Sequence, residues 1–337
     1  MRILLIGGSG LISTPITRFL LARGDEVVLY NRGQTALRVE GTVAQIIGDR
    51  TDFPRFEAQM AAAGPFECVI DMVCFRPEEA ESLVRCFAGR IKQLIFCSTV
   101  DVYGKPALAY PYTEDEPRNS LSEYGRNKTR CEDILLAAHH RGDFLTTVIR
   151  PATTYGEGGP IIHTFGWSTG YLDRLRKGKP VVVHGDGESL WVMCHVDDVA
   201  RAFVAAIDNA AAFGRAFHTT GEEWITWNQY HQQVAAAIGA PPPTLVHIPT
   251  DVLAMVCPRH AAITPDNFRF TNIHDNSAAR AALGFQQTVA FADGVRRTVA
   301  HLDQLGLIVN SDEDPYEDRL IAAWERHCVQ LAQEVGE

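Results

Sequence analysis

Short apolar runs alternate with helix-patterned stretches through the first half of the chain. "RILLIG" (2–7), "EVVLYN" (26–31) and "VAQIIGD" (43–49) are followed by "CVIDMV" (68–73), "QLIFCST" (93–99) and "LTTVIRP" (145–151). Apolar runs of this length predict strands buried on both faces. Helix-like stretches separate them; "TPITRFLLARG" carries Pro15 in its first turn and Gly24 as its stop. Strands alternating with helices predict an α/β fold with a doubly wound parallel sheet. After residue 151 the alternation loosens. "WNQYHQQVAAAIG" (227–239) is amphipathic, and 240–275 are rich in proline, histidine and aromatics, as in a smaller C-terminal lobe. In the tail, Leu320, Ile321, Trp324, Cys328 and Leu331 fall on one helical face, expected to dock on the protein's own body.

Composition narrows the classes. With 46% apolar and 21% charged residues the chain reads as a soluble globular protein. A net charge of −10 and no lysine-rich block give no electrostatic footprint for nucleic acid or an anionic membrane. The apolar run of "MRILLIGGSG" is too short for a signal peptide or a span, and no later stretch reaches spanning length. Eight scattered cysteines without a CxxC suggest a reduced, cytoplasmic setting. The twelve histidines show no ligand spacing, so no metal is expected. Asp197 and Asp198, before an apolar-periodic helix, read as helix caps.

Two patterns carry chemistry. "LLIGGSGLIS" joins the first strand to the first helix: Gly7 permits the tight turn, Gly10 a close approach of backbone to a pyrophosphate, and the helix start at Leu11 and Ile12 offers free N–H groups. Ser13 stands where a third glycine would, which implies a looser helix–strand contact. The second strand ends on Asn31 rather than a carboxylate, with Arg32 next, so NAD and NADP both stay open. Asp49 and Arg50 either hold an adenine ring or form a solvated turn. The second pattern is Tyr124 and Lys128, four apart on one helix face in a chain with five lysines. An ammonium beside a phenol lowers its pKa from about 10 and makes it a usable base. Thr99, at the end of the fifth strand, could hydrogen-bond the same substrate oxygen.

Together "GGSGLIS", "STVDVYG", "YGRNK", "VIRPATTYGEG", "HGDGES" and "HVDDVARAF" resemble the extended short-chain dehydrogenase/reductase, or NAD-dependent epimerase/dehydratase, family. "NRG", "GDRTD" and "VIDMVCFRPEEAE" are similar to an atypical branch of it. The resemblance implies a Rossmann-like domain over 1–154, extended by about 189–235, and a substrate lobe over 155–188 and 236–300, with 301–337 a helical tail. It implies tightly held NAD or NADP, NAD before NADP, with Val73 and Pro151 completing the cofactor contacts, and a Thr99–Tyr124–Lys128 triad. It implies a homodimer and a sugar-containing substrate, whose hydroxyl Tyr124 deprotonates during hydride transfer. The outcome is epimerisation if the hydride returns to the other face, or net dehydrogenation if the ketone leaves. A third, non-enzymatic reading is RNA binding, as in some relatives of the atypical branch.

Two departures bear on the substrate. Dehydratases of the family carry Asp–Glu after the threonine; here Val100–Asp101 leaves one carboxylate, either a second acid/base or a helix-start residue. Nucleotide-sugar members carry a diphosphate-gripping arginine where Trp191 stands, an indole that either stacks on substrate or fills core. Arg174, Arg176 or Arg269 could supply the missing charge.

Overall fold

A computed structural model describes residues 1–41 and 43–336. Two compact units share the chain: Met1–Thr154, Met193–Glu222 and His274–Val289 form the first; Tyr155–Val192, Glu223–Ile273 and Ala290–Glu337 form the smaller second. The chain thus returns to the first unit at 274–289, a segment the sequence pattern assigns to the lobe, while the helix Trp227–Ala237 falls in the second.

The first unit is built on strands β1 (Arg2–Ile6), β2 (Glu26–Asn31), β3 (Ala44–Ile47), β4 (Cys68–Asp71), β5 (Gln93–Cys97) and β6 (Leu145–Pro151). With Arg215–Thr219 they make a seven-stranded sheet, ordered 215–219, β6, β5, β4, β1, β2, β3. Neighbouring strands of this sheet pair in parallel, for example Ile6 opposite both Tyr30 and Asp71. The order reverses at β1, the doubly wound, Rossmann-like arrangement that opens a crevice beyond the strands' carboxyl ends. Strand geometry sends successive side chains to opposite faces. Ile3 and Leu5 pack with Ile16, Leu20 and Phe203 on one side; Leu4 and Ile6 pack with Phe56, Leu83 and Leu135 on the other. Burial on both faces explains the uninterrupted apolar runs.

Helices flanking the sheet include α1 (Ser13–Ala22), α2 (Phe53–Ala62), α3 (Pro77–Phe87) and α4 (Glu123–Arg141), with Val196–Ala205 beside α1. Ser122 caps α4 by accepting the Gly125 N–H at 2.9 Å, and Gly142, at φ 82°, closes it. Helix Val196–Ala205 is capped by His195, whose ring accepts the Asp197 N–H, so the two aspartates do other work. Asp198, fully buried, receives the Thr288 and Val289 N–H groups, and Asp197 pairs with Arg18.

In the second unit, Leu190–Trp191 pairs antiparallel with Ile225–Thr226, and Val181–His184 parallel with Leu245–Ile248. Only the first part of the tail helix Tyr316–Val335 docks as expected. Ile321 is buried and Leu320 and Trp324 pack on Val182, Ile248 and Leu253, whereas Cys328 and Leu331 are exposed. No helix among the described residues is long and apolar enough to cross a membrane.

Candidate active site

At the carboxyl ends of β1 to β4 lies a cleft of about 420 Å³, lined among others by Gly7, Gly10, Asn31, Arg32, Asp49, Arg50 and Val73. Gly7 adopts φ +86°, and a Cβ there would come within 2.5 Å of Val73 Cγ1. At Gly8 it would come within 2.6 Å of Leu29. The absent side chains leave bare backbone at the strand-to-helix corner, the cradle a pyrophosphate needs. Ser13 does not loosen this corner. It is buried and its Oγ accepts the Gly10 N–H at 2.7 Å, tying the turn to α1. The cleft's size, hydroxyl lining and apolar Val73 and Phe75 fit the adenosine half of a dinucleotide.

Leu11 and Ile12 stand at the entry to α1, where Ile12 packs against the core, and Pro151 ends β6, buried. None of the three lines the cleft. Sequence reasoning overlooked Thr35, Thr51, Phe75 and Glu79, which do. It also overlooked Asp71, fully buried, whose Oδ1 accepts the Val73 N–H at 2.8 Å and whose Oδ2 lies 3.3 Å from Arg50 Nη2. Burial raises the Asp71 carboxyl above the usual carboxylate range despite that guanidinium.

Further along the sheet edge the structure brings Thr99, Tyr124 and Lys128 together. Lys128 is buried, and its Nζ donates to Cys74 O at 2.9 Å and Cys97 O at 2.8 Å, just past β4 and at the end of β5. An ammonium has three donors, so one remains for a ligand. The same Nζ lies 5.8 Å from the Tyr124 ring centroid and 4.6 Å from that of Phe75. Thr99, whose Oγ1 accepts the Asp101 N–H at 3.1 Å, lies near enough to the Tyr124 phenol to favour its ionised form. The direction of the phenol's shift differs from the expectation. Burial of its hydroxyl end raises the pKa above 10, and Lys128 and Thr99 only partly offset this, although the residue as a whole is 45% exposed. The Lys128 ammonium is itself held up, because Tyr124, Cys97, Cys74 and Asp71 outweigh its burial.

Asp101 is engaged on both oxygens. Oδ1 receives Lys105 Nζ at 2.8 Å and Oδ2 the Ser122 hydroxyl. Since Ser122 caps α4, Asp101 fixes the first turn of the helix that carries Tyr124.

One turn beyond Lys128, Glu132 is fully buried on α4, the next step of the four-residue series. Arg150, on β6, clamps it from Nε at 2.9 Å and Nη2 at 2.6 Å; Arg118 Nη1 adds 2.9 Å and the Ser98 hydroxyl a fourth contact. Arg150 Nη1 reaches Tyr103 Oη at 2.6 Å, and Tyr103 reaches His218 Nε2 at 2.5 Å. This network joins the residue before Thr99 to the helix of Tyr124. Burial alone would raise the Glu132 carboxyl, but Arg150 pulls it below the usual range. A continued i, i+4 spacing was the signal available in sequence.

Trp191 and Arg174 turn inward within the second unit. The short pairing of 190–191 with 225–226 directs the Trp191 indole against Trp227 and Phe268, at 5.0 and 5.1 Å between centroids, and leaves the residue 1% exposed. Arg174 is buried between Glu317, at 3.3 Å, and Asp318, at 2.8 Å. Arg176 pairs with Asp303 and Arg269 with Asp251. Neither Trp191 nor Arg174 offers a substrate the open face expected of it.

A family model for the NAD-dependent epimerase/dehydratase family matches residues 79–218. The chain is 32% identical over 237 residues to a UDP-glucose 4-epimerase of Mycolicibacterium smegmatis, covering 70% of this chain and 69% of that protein. It is 28% identical over 241 residues to a 2′-dehydrokanamycin reductase of Streptomyces kanamyceticus, covering 72% and 68% respectively. Among solved structures, a UDP-glucose 4-epimerase of Bifidobacterium longum in complex with NAD+ and UDP is similar at a TM-score of 0.73. It is 20% identical and covers 92% of this chain and 100% of that one, a likeness of fold.

Proposed function

Because the chain belongs to the NAD-dependent epimerase/dehydratase family, and so is an enzyme of the epimerase and oxidoreductase class that uses NAD or NADP, we propose that it is a redox epimerase. Its substrate in this reading is a hydroxyl of a sugar-containing small molecule, and Tyr124 is the acid/base. The observation that carries the reading is a half-exposed phenol with Thr99 beside it, backed by a buried ammonium two carbonyls hold in place.

When bound, NAD or NADP supplies the acceptor and donor of hydride. Tyr124 Oη takes the proton of the substrate hydroxyl and later returns it. Lys128 stabilises the phenolate that accepts this proton, and its remaining N–H would hold a ribose hydroxyl of the cofactor. Thr99 donates to the same oxygen as its charge changes, and Asp101, through Ser122, holds the phenol in register. Net reduction of a keto sugar is the second reading, favoured by the likeness to the 2′-dehydrokanamycin reductase. A homodimer, with light scattering at twice the 37.2 kDa chain mass, belongs to the proposal.

The test is to denature the purified protein, identify the released nucleotide by mass spectrometry, and follow absorbance at the reduced-nicotinamide band while sugars are offered. Epimerisation without added cofactor, lost in Tyr124→Phe, supports the proposal. Stoichiometric consumption of added cofactor supports net reduction, and undiminished turnover by Tyr124→Phe overturns both.

A further inference from the structure

We infer that the nucleotide bound here carries a phosphate on its adenosine 2′-oxygen, so that the site selects NADP(H) over NAD(H) with Arg32 as the selecting residue. This rests on the cofactor reading above and goes beyond it.

Discrimination between the two nucleotides happens at the end of the second strand, where a carboxylate accepts a free 2′-hydroxyl and repels a 2′-phosphate. β2 ends on a neutral carboxamide instead. Asn31 is buried and committed inward: its Oδ1 accepts the Gly33 N–H at 2.8 Å and its Nδ2 donates to Gln45 Oε1 at 3.3 Å. It therefore provides neither the strong acceptor that a ribose diol needs nor the charge that would reject a dianion.

The next residue, Arg32, is exposed at the rim of the cleft and forms no ion pair with any described residue. Thr35, also exposed, lines the same cleft. A guanidinium and a hydroxyl on one short loop are donors suited to a phosphate monoester. Arg50 also lines the wall, its Nη2 bound to Glu79 O at 2.7 Å and 3.3 Å from Asp71 Oδ2, which offsets its charge, while Nε and Nη1 lack hydrogen-bond partners.

Two carboxylates also line the cleft; Glu79 is tied to backbone, and Asp49 to its own turn through one oxygen while it faces the charge of Arg32. Asp49 Oδ1 accepts the Thr51 N–H at 2.8 Å and the Thr51 hydroxyl at 2.7 Å, which closes its own turn. Glu79 Oε2 accepts the Phe75 and Arg76 N–H groups at 2.6 and 3.0 Å. The acidic residue that discriminates in favour of a plain ribose is thus missing from β2, while beside its place stands a cation with no close ion pair, attracted only at longer range by Asp49.

The experiment first frees the full chain and its Arg32→Ala variant of any retained nucleotide, checked by absorbance and mass spectrometry, and then titrates each with NADP+, NAD+, adenosine 2′,5′-bisphosphate and ADP by calorimetry. Arg32 is exposed and unpaired, so the variant keeps the wild-type melting temperature. Wild-type protein is expected to bind the 2′-phosphorylated member of each pair at least about tenfold more tightly. Arg32→Ala is expected to weaken NADP+ by about 10–100-fold, the scale of a charge-assisted contact, and NAD+ by less than about threefold. Equal or tighter binding of NAD+ by wild type, or equal losses for both nucleotides in the variant, overturns the inference and leaves the cofactor reading standing. Failure of all four to bind overturns the cofactor reading with it.

Discussion

Replacing Glu132 by leucine removes one charge of a buried pair and leaves the other. Arg150 is 3% exposed and loses two bonds, from Nε and Nη2, while Arg118 keeps Asp133 at 2.7 Å and Ser98 is uncharged. The cost therefore falls on the Arg150 guanidinium, whose remaining direct contacts, to Tyr103 Oη and the Glu114 backbone O, are uncharged, the Glu114 carboxylate attracting it only at longer range. An uncompensated buried charge of this kind costs about 3–5 kcal/mol. For a unit of roughly 200 residues this lowers the melting temperature by about 6–20 °C. The double variant Glu132→Leu, Arg150→Met removes both charges and should regain most of that loss, because a buried pair is often no better than an apolar one of equal volume.

Acid provides the second handle. The folded-state pKa of Glu132 lies below its ordinary value of 4.5, so its stabilisation is fully present above 4.5 and is lost as pH falls through the folded value. The gap between wild type and Glu132→Leu, read by differential scanning calorimetry, should be largest near neutral pH and narrow below 4.5. A single variant within about 1 kcal/mol of wild type at pH 7, or a double variant worse than the single, would refute the assignment of the cost to an orphaned charge.

Three further outcomes are expected. Tyr124→Phe should lower turnover by about 10²–10⁴-fold, the range for a lost acid/base, and leave the melting temperature within a few degrees, since the ring is half exposed; steady-state rates and a thermal melt check this. Gly7→Ala should destabilise by about 1–2 kcal/mol from its left-handed backbone alone and also weaken nucleotide binding through the clash with Val73, so calorimetry of binding and unfolding should both move. Titration of native protein with a thiol reagent should modify one thiol per chain, Cys328, and all eight after denaturation, because the other seven are buried; fast modification of a second would contradict that burial.

What the chain spelled out locally was the alternation that makes six strands and their helices, the glycine corner, and the four-residue spacing that sets Tyr124 and Lys128 on one face. Each depends on residues within a turn or two, so periodicity and residue type suffice. Arg215–Thr219 was not legible as a strand, because only Ala216 and Phe217 in it are apolar and its pairing to β6 joins residues more than sixty apart. Tertiary structure alone decided which polar groups face a ligand and which face one another. Arg174 could have met a substrate, but Glu317 and Asp318, more than 140 residues later, already neutralise it; Trp191 could have stacked on a sugar, but Trp227 and Phe268 enclose it. The same holds for the phenol, whose pKa depends on how deeply the fold buries it as well as on the lysine one turn away. A side chain's type and spacing are written in the chain; its solvation is a property of everything that packs around it.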